Sequence, residues 1–380
     1  MKAIAIIPGT TNVSMINVDE PVILHPDEVK LKIWQVGICG TDREEVSGGR
    51  ATAPVNKKEL VIGHEMFGEV VETGSAVTKV KKGDFGVFMV RRGCGKCKAC
   101  LNGRSDMCFT GDYTERGIKA ADGYQSEYVV DKEQYLVKVP EAMKEIGVLT
   151  EPMSVAAKGI NEALLIQKAR LKDFEDPSHW LKGKKALVAG IGAIGLMAAF
   201  ALRLKGAEVI GMDIVDENSL RPQILKQIGG KYIDGRKTRV TDIDQDYGES
   251  DFIFEATGMG RLQIELLDAL AINGVYVATG IPGGNRPLTI EVGKLLQQLV
   301  LKNQILLGSV NAGIEHYEMA VDELQQCLDR WPESIKKIIT RKVPYDDFSS
   351  ALTEHDADEI KVVVEWTPEN VEQMNIEQGR

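Results

Sequence analysis

The chain has 380 residues, 43% of them hydrophobic, enough for two or three domains with sizeable cores. A formal net charge of -10 has the wrong sign for nucleic acid or an anionic membrane as partner, and no apolar run approaches the ~20 residues of a membrane helix. Four of the six cysteines crowd into fifteen residues, a pattern of metal chemistry in a reducing, cytoplasmic compartment and not of a secreted disulfide framework.

The N-terminus, MKAIAIIPGT, starts like a signal peptide, but Pro8 and Gly9 cut its apolar run short and no small-residue cleavage pattern follows. It reads as a first strand. Residues 1–150 continue in short alternating strands broken by glycine and proline: VKLKIWQVGIC, GEVVETG, GDFGVFMV, EYVVDKEQYLVKVP. That is a β-rich, barrel-like pattern.

Within it, Cys39 ends an apolar strand in VGICGTD, and His64 and Glu65 stand in GHE before another strand. Glu151 follows in LTEPMS, where Pro152 biases it toward an extended backbone aimed away from a helix surface. Taken singly, a cysteine is usually a small buried hydrophobe, a histidine structural, and a carboxylate before proline a turn cap. Taken together they are competent zinc ligands, and a mixed shell with an exchangeable position is what metal-assisted oxidation of a hydroxyl needs.

Between these segments lies Cys94-x2-Cys97-x2-Cys100-x7-Cys108, in a lobe of about 91–110. Four thiolates so close can wrap one tetrahedral Zn2+, and a closed shell of four is structural. Gly93, Gly95 and Gly103 relieve the backbone, and Arg91, Arg92, Lys96 and Lys98 are expected to offset the thiolate charge. An iron–sulfur cluster or two disulfides would use the same residues, although nothing in the sequence supplies a redox partner for a cluster.

From about 184 the period changes. KKALVAGIG, AEVIGMDIV, KYID, DFIFEATG, GVYVATG and ILLGSV alternate with helix-length segments, giving six candidate strands of a parallel sheet. The first ends in Gly190-Ile191-Gly192-Ala193-Ile194-Gly195, a GxGxxG that opens a helix, and Asp213 ends the next strand near the ~20-residue offset of a ribose-binding acid. A plain glycine turn is the bland alternative. A carboxylate at Asp213 accepts from both ribose hydroxyls and repels a 2′-phosphate, and Ile214, Val215 and Asp216 bring no arginine, so NAD is expected over NADP. HYEMAVDELQQCLDRW then reads as an amphipathic helix with Cys327 as packing, IKVVVEW as a last strand, and TPENVEQMNIEQGR as a polar tail.

GHE, the cysteine lobe and GxGxxG, in this order, resemble the zinc-containing medium-chain dehydrogenases. GICGTDRE, RRGCGKCKACLNGRSDMC, YTERGIKAADGYQSEY, LTEPMSVAAKGI, GSVNAG and DEIKVVVEW are most similar to the archaeal-type glucose 1-dehydrogenases within that family. The resemblance implies an α/β chain with a GroES-like β-barrel catalytic domain (1–183 and 309–380) and a Rossmann domain (184–308). It implies a catalytic zinc on Cys39, His64 and Glu65, with Glu151 as a further ligand candidate and substrate contact, and a structural zinc on the four lobe cysteines. Thr41 would start proton removal, Asp42 would fix the His64 tautomer, and Glu44 would pass the proton to solvent. Glu115 and Asn311 would hold sugar hydroxyls. Thr257, Gly258, Gly280, Ile281, Ser309, Asn311 and Lys361 would join the glycine loop at the cofactor.

The implied reaction is oxidation of an aldose at C1 to the aldonolactone, with hydride passing to NAD(P)+. Val90 stands where the family often carries a sugar-contacting asparagine, and Met212-Asp213-Ile214 stands where NADP users carry Asn/Arg-type residues. The first departure keeps a polyol or amino-alcohol dehydrogenase in view, and a non-catalytic zinc- and dinucleotide-binding protein is the rival of another class. The resemblance also implies a homodimer or homotetramer joined around 274–310.

Overall fold

Strand after strand of the N-terminal half alternates apolar and polar residues, and in the structure, a computed structural model describing residues 1–172, 176–283 and 287–367, these strands form one large sheet and two small ones. The first compact unit takes Met1–Ser154, Asn311–Gln325 and the residues from Lys336 onward. Its main sheet runs Leu136–Val139, Phe85–Phe88, Glu65–Thr73, Glu28–Ile38, Lys361–Glu365 and Ile339–Pro344, with Tyr128–Lys132 also on Glu28–Ile38. Phe67 stacks on Phe85 at 5.4 Å in its core, and Trp34 meets both edge-on.

Strand pairing converges the candidate site. Gly37 stands opposite Glu65, and Ile38 opposite Val362, so the ends of three strands distant in sequence meet. A Cβ on Gly37 would collide with the Glu65 carboxylate, so this close approach requires glycine.

The second unit takes Val155–Val310 and Gln326–Ile335. Its six strands, Lys185–Ala189, Glu208–Asp213, Lys231–Asp234, Ser250–Glu255, Leu270–Ala278 and Ile305–Gly308, are all parallel, in spatial order 3-2-1-4-5-6. This unit also takes in 155–183 and 326–335, outside the sequence boundaries of 184 and 308. The reason is packing: the Thr150–Leu171 helix crosses the sheet at Gly159, where a Cβ would stand 3.0 Å from Val277, and Gln167 Nε2 donates to the Asn273 carbonyl at 2.7 Å.

One local expectation is corrected. Glu151 is not extended; it lies in the first turn of the Thr150–Leu171 helix. Pro152 is tolerated there because a first-turn N–H has no intrahelical acceptor to lose. Cys327 is fully buried in the Ile314–Arg330 helix, as its packing reading requires. The polar tail lies almost wholly outside the described residues.

Candidate active site and metal centres

Cys39 caps the short helix Gly40–Val46. Its Sγ accepts from Thr41 N at 3.2 Å, and its own N–H donates to Asp42 Oδ2 at 2.8 Å, closing a reciprocal cap. The cap fixes the thiol direction. Across from it, His64 Nε2 lies 3.1 Å from Cys39 Sγ, and Asp42 Oδ1 lies 3.5 Å behind His64 on Nδ1. One ligand atom each from Cys39, His64 and Glu65 falls within 4.8 Å of the others.

Burial disfavours the His64 imidazolium, but the Cys39 thiolate and the Asp42 carboxylate outweigh it and hold His64 well above its ordinary range. Burial likewise opposes the Asp42 charge, and His64 overcomes it. A thiol, an imidazole and a carboxylate gathered at one place are ligand types that a borderline-soft dication accepts.

Glu65 carries a second relationship. Lys361, expected at the cofactor, is 2% exposed and donates to Glu65 at 2.7 and 2.6 Å and to the Ile38 carbonyl at 3.2 Å. Its contacts are therefore with the metal cluster of the barrel unit. Glu151 stands outside the 4.8 Å group; burial and the Glu65 charge push it up to about 7. One turn beyond Asp42, Glu45 is fully buried, and neither carboxyl oxygen has a hydrogen-bond partner. Burial and Asp42 push it up to about 9, so it is a neutral acid at pH 7. Nothing in the sequence pointed to Glu45 except its i,i+3 spacing from Asp42.

Thr41 is partly exposed beside the cluster. Glu44 is half exposed and lies 3.5 Å from Arg50 Nε. Glu115 and Asn311, 196 residues apart, meet directly: Asn311 Nδ2 donates to Glu115 Oε1 at 2.8 Å. Asn311 has φ +61°, a left-handed turn that asparagine tolerates. Val90 is buried, so its position offers no polar group.

The four lobe cysteines also lie within 4.8 Å of one another through Sγ. Cys97–Cys100 and Cys94–Cys100 sulfurs are 3.4 and 3.9 Å apart. A tetrahedron of Zn–S bonds has edges of about 3.8 Å, whereas a disulfide brings sulfurs to about 2.05 Å. The spacing suits one tetrahedral ion and is too wide for disulfides. The Thr110 hydroxyl holds Cys108 down to about 6, while burial pushes Cys100 up to about 12. Arg91 and Arg92 do not offset the thiolates as expected. Arg91 pairs with Glu115 at 2.9 Å and Arg92 with Asp131 at 2.7 Å, since nearby carboxylates are better partners for a guanidinium fork than polarizable sulfurs.

In the second unit Gly190 has φ +82°, and a Cβ on Gly195 would collide with the Gly190 carbonyl, so helix and turn pack as closely as glycine allows. Gly192 caps the helix Ala193–Leu204 with open space where its Cβ would be, and Ala193 and Ile194 follow in the first turn. That opening and the helix N-terminus suit a pyrophosphate. Asp213 Oδ2 accepts from Ile191 N at 3.0 Å and lies 3.7 Å from Arg221. The residues immediately after Asp213 contain no arginine; Arg221, second residue of the Leu220–Gln227 helix, comes back to it.

Glu255 ties two further loops together. Its carboxylate accepts from Thr257 N and Oγ1, Gly258 N and Gln263 Nε2, and its carbonyl from Thr279 and Gly280. Gly258 and Gly280 approach so closely that side chains on them would strike the facing backbone. Ile281 is exposed; Ser309 is buried with its hydroxyl unpartnered.

Residues 25–141 match the alcohol dehydrogenase GroES-like domain, and residues 144–366 the glucose dehydrogenase C-terminus. A glucose 1-dehydrogenase from Methanocella arvoryzae is 36% identical, with 96% of this chain and 99% of that one covered. Glucose 1-dehydrogenase 2 of Vulcanisaeta moutnovskia is 37% identical over 96% and 99%. Among solved structures, Haloferax mediterranei glucose dehydrogenase in complex with NADP, Zn and gluconolactone superposes with a TM-score of 0.86 at 31% identity, covering 97% and 99%. On this agreement in sequence, fold and ligand-competent clusters, the chain belongs to the glucose dehydrogenase branch of the zinc-containing medium-chain dehydrogenases, NAD(P)-dependent enzymes.

Proposed function

We propose that the protein oxidises an aldose, glucose or a close analogue, at C1 to the aldonolactone, with NAD(P)+ as hydride acceptor. The convergence of Cys39, His64 and Glu65 carries this reading, since it gathers three ligand types from two strand ends distant in sequence beside a threonine hydroxyl. Zinc held there supplies Lewis acidity toward the C1 hydroxyl, and zinc on Cys94, Cys97, Cys100 and Cys108 supplies rigidity.

The chain's own residues do the rest. Thr41 accepts the C1 hydroxyl proton, and the half-exposed Glu44 hands it to water. NAD(P)+, when bound, would supply the acceptor for the C1 hydrogen and its electron pair, which leaves C1 as the lactone carbonyl. Asp42 keeps His64 in the tautomer whose Nε2 faces Cys39. Glu115, Asn311 and Glu151 receive the remaining hydroxyls. Gly190, Gly192, Ala193, Ile194 and Gly195 take the pyrophosphate; Thr257, Gly258, Gly280, Ile281 and Ser309 border the nicotinamide half.

NAD is the preferred cofactor in this reading, because the Asp213 carboxylate repels a 2′-phosphate. Arg221 beside it gives the phosphate a partner, so NADP is a weaker second cofactor and not an excluded one. The Haloferax relative holds NADP.

Val90 favours a second reading, a polyol dehydrogenase, because one sugar-binding amide is lacking. The deciding experiment follows absorbance at 340 nm with D-glucose, D-galactose, D-xylose, sorbitol and L-threonine, each with NAD+ and NADP+. Turnover of aldoses, faster with NAD+, is the expected result. Turnover of sorbitol or threonine alone overturns the sugar assignment. A chain with one zinc and no turnover of any substrate is a binding protein and not an enzyme.

The protein is expected to be a homodimer or homotetramer in the cytoplasm. The edge strand Ile305–Gly308 ends the parallel sheet, and the Val292–Leu301 helix leaves Leu296, Val300 and Leu301 exposed, which suits pairing with a second copy. Among the described residues no helix is long and apolar enough to cross a membrane.

A further inference from the structure

Glu115 does not set its own orientation. Arg91 stands directly opposite it where the strands Arg91–Arg92 and Thr114–Arg116 pair. Arg91 donates from Nε at 3.1 Å and Nη2 at 2.9 Å, and Asn311 donates from Nδ2 at 2.8 Å, all to the same oxygen, Oε1. Oε2 accepts from none of them and is the oxygen left to a ligand. Both side chains are nearly buried, 8% exposed for Arg91 and 13% for Glu115, so water competes weakly for the pair.

The other edge of the guanidinium faces the cysteine lobe. Arg91 Nη1 donates to the Asp106 carbonyl at 2.6 Å, and the Ser105 hydroxyl donates to the Arg91 carbonyl at 3.3 Å. Asp106 belongs to the short helix Ser105–Met107, immediately before Cys108. Its carboxylate is clamped by Arg104 at 2.9 and 2.8 Å. The guanidinium plane also lies on the Tyr113 ring, 3.9 Å from its centroid. Three directions are therefore fixed at once: one edge on the lobe backbone, one on Glu115, and the face on an aromatic ring. Only a planar fork of donors can do this.

We propose that Arg91 is the positioning residue for the substrate-binding carboxylate, and that it makes the cysteine lobe the anchor of the sugar site. Arg91 touches neither the reacting atoms nor the cofactor; it holds Oε1 so that Oε2 points to the ligand. The inference rests on the reading that Glu115 binds the sugar.

Steady-state kinetics of Arg91→Ala, Arg91→Lys, Glu115→Ala and the Arg91/Glu115 double variant test it, each with sugar and NAD+ varied separately. Loss of one charge-assisted hydrogen bond to substrate is on the order of 10–100-fold in sugar KM, and Arg91→Ala is expected to show that with kcat and the NAD+ KM nearly unchanged. Arg91→Lys restores part of the loss, because an ammonium reaches one of the two partners but not both. The double variant is expected to be no worse than Glu115→Ala alone, the non-additivity of a residue acting through another.

Additive losses, or a fall in kcat and rise in NAD+ KM together with the sugar KM, overturn the inference and mark Arg91 as merely structural. If Arg91→Ala does not fold, the same comparison is made with Arg91→Lys and Glu115→Ala, where additivity again overturns it. An unchanged sugar KM in Glu115→Ala overturns the sugar reading of Glu115 itself, a different failure from an unchanged KM in Arg91→Ala alone.

Discussion

The two cysteine-containing clusters of the barrel unit are built by opposite means. The lobe of Cys94, Cys97, Cys100 and Cys108 draws all its sulfurs from fifteen residues, with glycines to let the backbone turn, and its cysteines are partly exposed. The cluster of Cys39, His64 and Glu65 draws on separate strands, and each member leans on a buried partner: Asp42 on His64, Lys361 on Glu65, the helix cap on Cys39. A site made by local sequence is geometrically self-sufficient, and it encloses its ion. A site made by tertiary pairing keeps a mixed ligand set and an open side, at the cost of depending on the whole barrel.

That contrast can be broken most sharply at Cys39. Cys39→Ser removes the thiolate from the mixed cluster, and turnover should fall by several kcal/mol of transition-state stabilisation, on the order of 10³-fold. Metal analysis should find one zinc per chain where the parent has two, with the circular dichroism spectrum retained. Two zincs and undiminished turnover would show that the cluster is no metal site.

Cys97→Ser addresses the other cluster and should act on stability before chemistry. Loss of a structural cross-link of this kind is on the order of 2–5 kcal/mol, read as a lower melting temperature and faster proteolysis within 91–110. If turnover number collapses while the melting temperature holds, the assignment of roles to the two clusters is reversed.

The smallest effect sharpens the comparison by testing the charges beneath the lobe. Burial works against the Asp131 charge, but Arg92 and Arg116 hold it down to about 2, below the usual carboxylate range. A carboxylate lowered in the folded state contributes stability above its unfolded value and loses it as pH falls through the folded one. Asp131→Asn should therefore cost about 2 kcal/mol at neutral pH, with the gap to the parent closing between pH 4 and 2 in urea melts. A gap independent of pH would mean that the arginines are held by packing alone.

What could be read from the chain alone follows the same division. The six strands of the parallel sheet and the glycine loop were legible because period and spacing are local properties, and so was the lobe. The members of the mixed cluster were legible as metal-ligand types in their own segments, but their pairing was not, since nothing in 380 residues states that Gly37 faces Glu65. The pairing of Lys361 with Glu65 was not legible, because the two lie 296 residues apart. Arg91 read as a counter-charge to cysteines because Cys94 stands three residues on in the sequence, whereas its partner Glu115 lies 24 residues on. Glu151 was misplaced because the rule for the residue before a proline yields at a helix start, where the proline itself belongs.

Glu255 has a consequence for how such an enzyme can change. It latches Thr257–Gly258 through its buried carboxylate and the loop of Gly280 through its main-chain carbonyl, so a substitution in either loop disturbs both. Asp213 and Arg221 sit at another strand end, outside that latch. In the proposed cofactor site, preference between the two dinucleotides can therefore drift by single substitutions at Asp213 or Arg221, while the loops that Glu255 ties together can change only jointly.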